Sequence, residues 1–224
     1  YSLPLIPAVI ATLINQFCDK LIIAYNLGIE SVGFYSGVAK IASILAFLVF
    51  VFRQSWTPLS IEALELVELK RNVLYRDILH KYFSILLTVS FVLTVLTHFY
   101  LHILIPESYY NTISIIPWIL GAIVFHGASS LTNLGTVITK KTISNSYAAW
   151  IGLFFNIIIS IILIQLIGLK GAAIGYFISE FIFMSYLNYR SYTIAKLNLL
   201  SNKIIIYCTI YLLFSVYFCF YIHI

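Results

Sequence analysis

Charged side chains are what this sequence has least of. Asp, Glu, Lys and Arg together make up 9% of its 224 residues, against about 25% in ordinary soluble domains, which excludes a water-soluble globule. The three cysteines, Cys18, Cys208 and Cys219, all fall inside apolar runs without metal-type spacing, so they read as buried, inert thiols and no metal site is expected. Enzyme signatures are missing too. There is no GxSxG, no HExxH, no glycine-rich phosphate loop with its Lys, and no pair of carboxylates on one face of an apolar span. Neither a catalytic residue nor a cofactor is therefore expected. Tyr1 stands first without an initiator Met, and no basic n-region or small-residue cleavage site precedes the first apolar run. The expectation is a piece of a longer protein, without a signal peptide. The net charge of +5 does not call for nucleic acid, because positive charge collects in cytoplasmic loops of membrane proteins for reasons of topology alone.

What the chain has in quantity is apolar surface. Hydrophobic residues reach 62% and mean hydropathy is +1.01, with several runs of roughly 20 residues, enough to cross a ~30 Å hydrocarbon core as helices. The period-2 alternation of an outer-membrane barrel is absent. The expectation is an all-α, polytopic transmembrane bundle forming a single domain over residues 1–224, with about seven spans: Leu3 to Tyr25, Val32 to Phe52, Tyr82 to Ile105, Ile113 to Asn133, Tyr147 to Ile167, Gly171 to Tyr189 and Ile204 to Ile222. Asn26, Gly28 and Gly33 mark a turn after the first span and Pro106 one after the third. The longest connection, Arg53 to Lys81, sets Ile61, Leu64, Leu66 and Leu69 against Glu62, Glu65, Glu68, Lys70 and Arg71, as an amphipathic helix on the cytoplasmic membrane surface does. With Tyr1 on the cytoplasmic side, ten Lys and Arg residues (Arg53, Lys70, Arg71, Arg76, Lys81, Lys140, Lys141, Arg190, Lys196 and Lys203) fall inside, and Lys20, Lys40 and Lys170 outside. The positive-inside rule favours that orientation.

Polar residues inside the spans follow helical spacing. Thr12, Asn15, Gln16 and Asp19 recur at i, i+3, i+4 and i+7, and so do His126, Ser129, Ser130 and Asn133. Each set forms a polar stripe on one helix face. Ser36, Lys40 and Ser43 share a face of the second span, Thr94, His98 and His102 mark the third, Asn156 and Ser160 the fifth, and Glu180 the middle of the sixth. Ser, Thr and Asn also serve as helix–helix glue in membranes, and a lysine near a helix end can snorkel to the interface. Asp19 and Glu180 lie too deep for that. A charge at such depth costs roughly 2.5–3.5 kcal/mol even on the lenient insertion scale and usually marks a pathway or a buried pair. The stripes are expected to line one hydrophilic cavity.

The run LPLIPAVIATLINQFCDKLIIAYNLGIESVGFYSGVAKIASIL, followed by FRQSWTPLSIE, resembles the seventh and eighth helices of bacterial polysaccharide flippases of the multidrug/oligosaccharidyl-lipid/polysaccharide exporter superfamily. The likeness rests on Pro4 and Pro7, on Asp19 with its basic neighbour Lys20, on Gly28 to Gly33 with Tyr35 after them, and on Trp56 and Pro58 before Glu62. Later, TKKTISNS and LIGLKGAAIGYFISE, with Gly171, Ala172 and Ala173, resemble the family's basic loop and a helix start. Lys20 stands where the family often has Arg, and Ser160 where a second Asn is common. The resemblance implies the C-terminal lobe of a two-lobed exporter of about fourteen helices, the N-terminal lobe lying outside this sequence. It also implies a bacterial inner-membrane location and a flippase function, with movement of undecaprenyl-diphosphate-linked oligosaccharide to the outer leaflet by alternating access.

On that reading Lys20, Lys40 and Arg53 supply positive charge along a groove, Asn15, Gln16 and Asn156 hydrogen-bond sugar hydroxyls, and Asp19, Glu180 or His126 carries a coupling ion, while membrane lipid holds the prenyl tail. Two alternatives stay open: a proton- or sodium-coupled drug or metabolite antiporter of the same superfamily, and a membrane-embedded polysaccharide polymerase or acyltransferase. Replacing Asp19 or Lys40 with Ala is expected to lower surface polysaccharide in cells; wild-type levels in both variants would count against the flippase reading.

Overall fold

The computed structural model describes residues 6–63, 68–100, 112–139, 141, 143–197, 199 and 201–221. The described residues fold into an all-helical bundle: α1 (Ile6–Leu27), α2 (Ile29–Glu62), α3 (Glu68–Phe99), α4 (Ile116–Thr132), the short α5 (Leu134–Ile138), α6 (Ile143–Ile167), α7 (Leu169–Ala195) and α8 (Asn202–Tyr221). Six of the expected spans are long and apolar enough to cross a membrane, as in a multi-pass membrane protein. The expected span from Gly171 to Tyr189 forms as α7, but this helix lies outside those six: Lys170 and Arg190 flank it, and Glu180 together with its Gly, Ser, Tyr and Asn residues lowers its hydropathy. It gains its place by packing against protein.

Two single glycines make the sharpest turns. Gly28 (φ 87°) separates α1 from α2, and Gly168 (φ 61°) separates α6 from α7, in the positive-φ region that costs glycine nothing. Each donates its N–H to the carbonyl four residues back, Ala24 and Ile164 respectively, closing the preceding helix. Gly33 falls inside α2 rather than in the turn. Pro106 and His102 lie outside the described residues.

Arg53 to Glu62 continues α2 and residues 68–81 begin α3, while 64–67 lie outside the described residues. The two ends pack on each other: the Tyr75 hydroxyl donates to the Ser60 carbonyl at 2.9 Å, and the Trp56 and Tyr75 rings meet edge-on at 5.5 Å.

At the centre stands α4, surrounded by α2, α3, α7 and α8. Its residues from Ile116 to Ala122 are all buried. Tyr82 of α3 donates to the Val124 carbonyl at 2.8 Å and Tyr211 of α8 to the Pro117 carbonyl at 2.6 Å, so α4 is held at two heights. At its end, Ser191 of α7 bridges the break between α4 and α5, donating to the Thr132 carbonyl and accepting from the Gly135 N–H. Lys170 of α7 donates to the Cys219 carbonyl at 2.7 Å, tying the end of α8 to the start of α7.

The α6–α7 hairpin is the closest-packed pair. A side chain at Gly171 would strike the backbone of Leu163, and one at Gly175 the hydroxyl and backbone of Ser160. Gly171→Leu is therefore expected to destabilise the bundle by about 1–3 kcal/mol or more, since neither neighbour is a side-chain tip that could move aside. Gly33→Ala, in open space, is expected to leave stability unchanged or raise it by up to about 1 kcal/mol. Denaturant unfolding in micelles measures both.

Candidate functional site

The polar stripe of α1 turns inward. Asp19 is buried and Asn15 half-buried, while Val9, Leu13, Phe17 and Leu21 on the opposite face are exposed, the reverse of a helix on a water-soluble protein. Facing that stripe are α6, which brings Asn156 and Ser160, and α7, which brings Glu180. Gly175 lets α7 lie against Ser160 of α6 beside the polar groups.

Seven side chains from five helices form one hydrogen-bonded network. The Asn156 amide Nδ2 donates to Asn15 Oδ1 and to Asp19 Oδ1, both at 2.8 Å. Asn15 Nδ2 donates to Glu180 Oε1 at 3.2 Å, and His126 Nδ1 of α4 faces Glu180 Oε2 at 2.9 Å. The Tyr35 hydroxyl of α2 donates to Asp19 Oδ2 at 3.4 Å, and the Ser160 hydroxyl to Asn156 Oδ1 at 3.0 Å. Asp19 and Glu180 are each 4% exposed and Asn156 is wholly buried. A buried carboxylate is tolerable only when donors replace the water it has lost. Glu180 finds them in an imidazole and an amide, Asp19 in an amide and a phenol. Among the described residues no cation bonds to Asp19, so the two carboxylates differ in kind: one has an ion-pair partner and the other has dipoles alone.

The network floors a cavity of about 200 Å³ lined by Thr12, Asn15 and Gln16 of α1, Arg53 and Phe50 of α2, His126 of α4, and Tyr176 and Glu180 of α7, among others. A smaller pocket of about 20 Å³ lies on the other side of Asn15, His126 and Glu180, where the His126 ring stacks on Phe183 with centroids 6.0 Å apart. With 31% of its side chain accessible, His126 joins the buried pair to open space. Among the described residues no group of three or more His, Cys, Asp and Glu gathers around a metal-sized point.

Of the residues expected to line the cavity, Asn15, Gln16 and Arg53 do so, and Asp19 and Asn156 lie directly behind it in the network. The candidates for ion coupling, Asp19, Glu180 and His126, share that network. Lys20 and Lys40 do not join it. Both are exposed and neither lines the cavity, because Lys20 lies one residue, about 100° of rotation, past Asp19, and Lys40 five residues, about 140° round the helix, from Tyr35. Ser43 donates to the Lys40 carbonyl, and Thr94 to that of Ser90, within their own helices; His98 packs on Phe218 of α8. Ser129 and Ser130 likewise bond carbonyls of their own helix. These polar groups are packing, not lining.

Tyr35 and Tyr176 were not singled out as site residues from the sequence. A signal for Tyr35 existed. Asp19 lies nine residues before Gly28 and Tyr35 seven after it, so a hairpin turning at Gly28 brings them level. Asn156 and Glu180 are each twelve residues from Gly168, which places them level in the second hairpin.

Compared with protein-family models, curated proteins and solved structures, the chain matches none.

Removing the amide at the centre has a calculable effect. Asn156→Leu leaves Asp19 Oδ1 and Asn15 Oδ1 without their shared donor, and a buried group stripped of its partner costs about 1–3 kcal/mol. Ser160→Ala removes one of several bonds and is expected to cost about 1 kcal/mol. Unfolding of the purified variants, compared with wild type, measures the difference.

Proposed function

We propose that this chain is part of an alternating-access carrier for a polar headgroup attached to lipid, a lipid-linked oligosaccharide, with the Asp19–Glu180 network as its coupling centre. The observation that carries the reading is the placement of two buried carboxylates bridged by amides, Glu180 in the wall of a cavity between helices and Asp19 directly behind it. Ionisable groups at this depth serve ion pathways and coupling. A headgroup bearing phosphate and sugars cannot enter hydrocarbon and needs a hydrogen-bonding, cationic lining. Arg53 offers a planar fork of donors that matches phosphate oxygens, and Thr12, Asn15 and Gln16 offer amides and a hydroxyl to sugars. The choice of oligosaccharide as cargo, and of the bacterial inner membrane as location, leans on the sequence resemblance to polysaccharide flippases.

One observation favours a second reading, an ion-coupled antiporter for drugs or metabolites. With Lys20 and Lys40 outside the cavity, Arg53 is the one Lys or Arg among its described lining residues, against Glu180 in the lining and Asp19 behind it. A cationic cargo suits that balance. A polymerase or acyltransferase gains no comparable support.

Reconstituting the full-length protein in vesicles separates these readings. Fluorescent lipid-linked oligosaccharide is expected to reach the opposite leaflet, Glu180→Gln to uncouple its movement from an imposed ion gradient, and Arg53→Ala to weaken cargo binding by about tenfold or more, the loss of one charge-assisted hydrogen bond. Gradient-driven efflux of small cations with no movement of the oligosaccharide would assign the second reading instead.

A further inference from the structure

The network beneath the cavity has a direction. Asn156 donates to Asn15 and to Asp19, Asn15 donates to Glu180, Tyr35 donates to Asp19, and Ser160 donates to Asn156. All donation runs toward the two carboxylates. Apart from the carboxylates, these members carry both donor and acceptor atoms: an amide has an oxygen and an NH₂, and a hydroxyl can turn. The same side chains can therefore bond with the direction reversed, on one condition.

That condition concerns protons. With a proton on Oε1, Glu180 becomes a donor and is best met by Asn15 Oδ1, which requires the Asn15 amide to turn over. Its Nδ2 then faces Asn156, which must turn in its own place to present Oδ1. The turned Asn156 sets an oxygen against Asp19 Oδ1, and two oxygens at that distance need a hydrogen between them. Asp19 must then hold a proton as well, while Ser160 swings to accept. While His126 and the Tyr35 hydroxyl donate to the outer oxygens, Oε2 of Glu180 and Oδ2 of Asp19, a mixed arrangement leaves a buried donor or acceptor facing its own kind, the costly case in a low-dielectric interior.

We propose that Asn15 and Asn156 form a two-state amide bridge that makes proton uptake by Glu180 and Asp19 cooperative, the two carboxylates loading together from water in the cavity. Two protons leave that water, two carboxylates become carboxyl groups, and no other covalent bond changes. Charge repulsion alone acts otherwise, drawing the two titrations apart. The titratable and charged groups facing the bridge are Cys18 and Asp19 on α1, Tyr35 and Arg53 on α2, His126 on α4, and Tyr176 and Glu180 on α7; α6 supplies Asn156 and Ser160. His126, on Oε2 of Glu180 and open to the cavity, leaves Oε1 as the oxygen that speaks to the bridge. Asn15 and Asn156 are positioning residues in this scheme. The inference deepens the carrier reading and rests on it for its purpose, because a carrier that loads two protons at once has no half-coupled state.

Infrared titration of the full-length protein in lipid nanodiscs tests the bridge without any transport. The readout is the carbonyl band of protonated carboxyl groups, with Glu180→Gln and Asp19→Asn assigning its two components. In the wild type both components are expected to rise in one transition steeper than a single-proton curve. Asn15→Leu and Asn156→Leu are each expected to split it into two steps no steeper than a single-proton curve, whereas Ser160→Ala, which leaves both amides free to turn, keeps it steep. Two separate, shallow transitions in the wild type overturn the proposal, as does a steep transition that survives the loss of either amide. Should the Leu variants not fold, the wild-type curve still decides. A steep transition in a protein that moves no cargo overturns the carrier reading and leaves the bridge standing.

Discussion

A carboxylate withdrawn from water must find hydrogen-bond donors, and this requirement organises the bundle. Asp19 comes from the first helix, Glu180 from the seventh, and no single helix can satisfy either. Their donors arrive from α1, α2, α4 and α6. Since removing a partner from a buried polar group costs more than a typical hydrogen bond contributes, the network fixes how these helices sit about each other. Small residues do the complementary work: Gly171 and Gly175 let α6 and α7 pack backbone against backbone, where a side chain would strike Leu163 and Ser160.

Solvent on the outside is hydrocarbon, and the distribution of side chains follows. Leucine, isoleucine and phenylalanine cover the exposed faces of α1, α2, α6 and α8, where lipid tails make burial unnecessary. The interior holds the apolar shell around α4 together with hydroxyls and amides that would be unremarked on a soluble surface. The helix least suited by composition to face lipid, α7, is accordingly packed against α4, α5 and α6.

Much of this was legible in the letters. Runs of apolar residues predict the all-helical, multi-pass architecture, and i, i+3, i+4, i+7 spacing predicts which face of α1 turns inward. Depth alone marks Asp19 and Glu180, since neither can snorkel. What composition could not tell is rotation. Lys20 and Lys40 share their helices with inward residues yet lie outside the cavity, and a long amphiphilic side chain has no strong preference that periodicity can read. Distances from Gly28 and Gly168 carry the pairings of Asp19 with Tyr35 and of Asn156 with Glu180, once the glycines are read as the tips of hairpins and residues are counted from them in both directions.

The break between α4 and α5 resembles a joint, yet Ser191 makes it a weld. One hydroxyl serves the last carbonyl of α4 and an amide of α5 together, and Gly135 lies against the backbone beneath it. Swinging the two segments apart would strand both groups in a dry interior. Any rocking of the bundle must therefore carry α4, α5 and α7 as one piece.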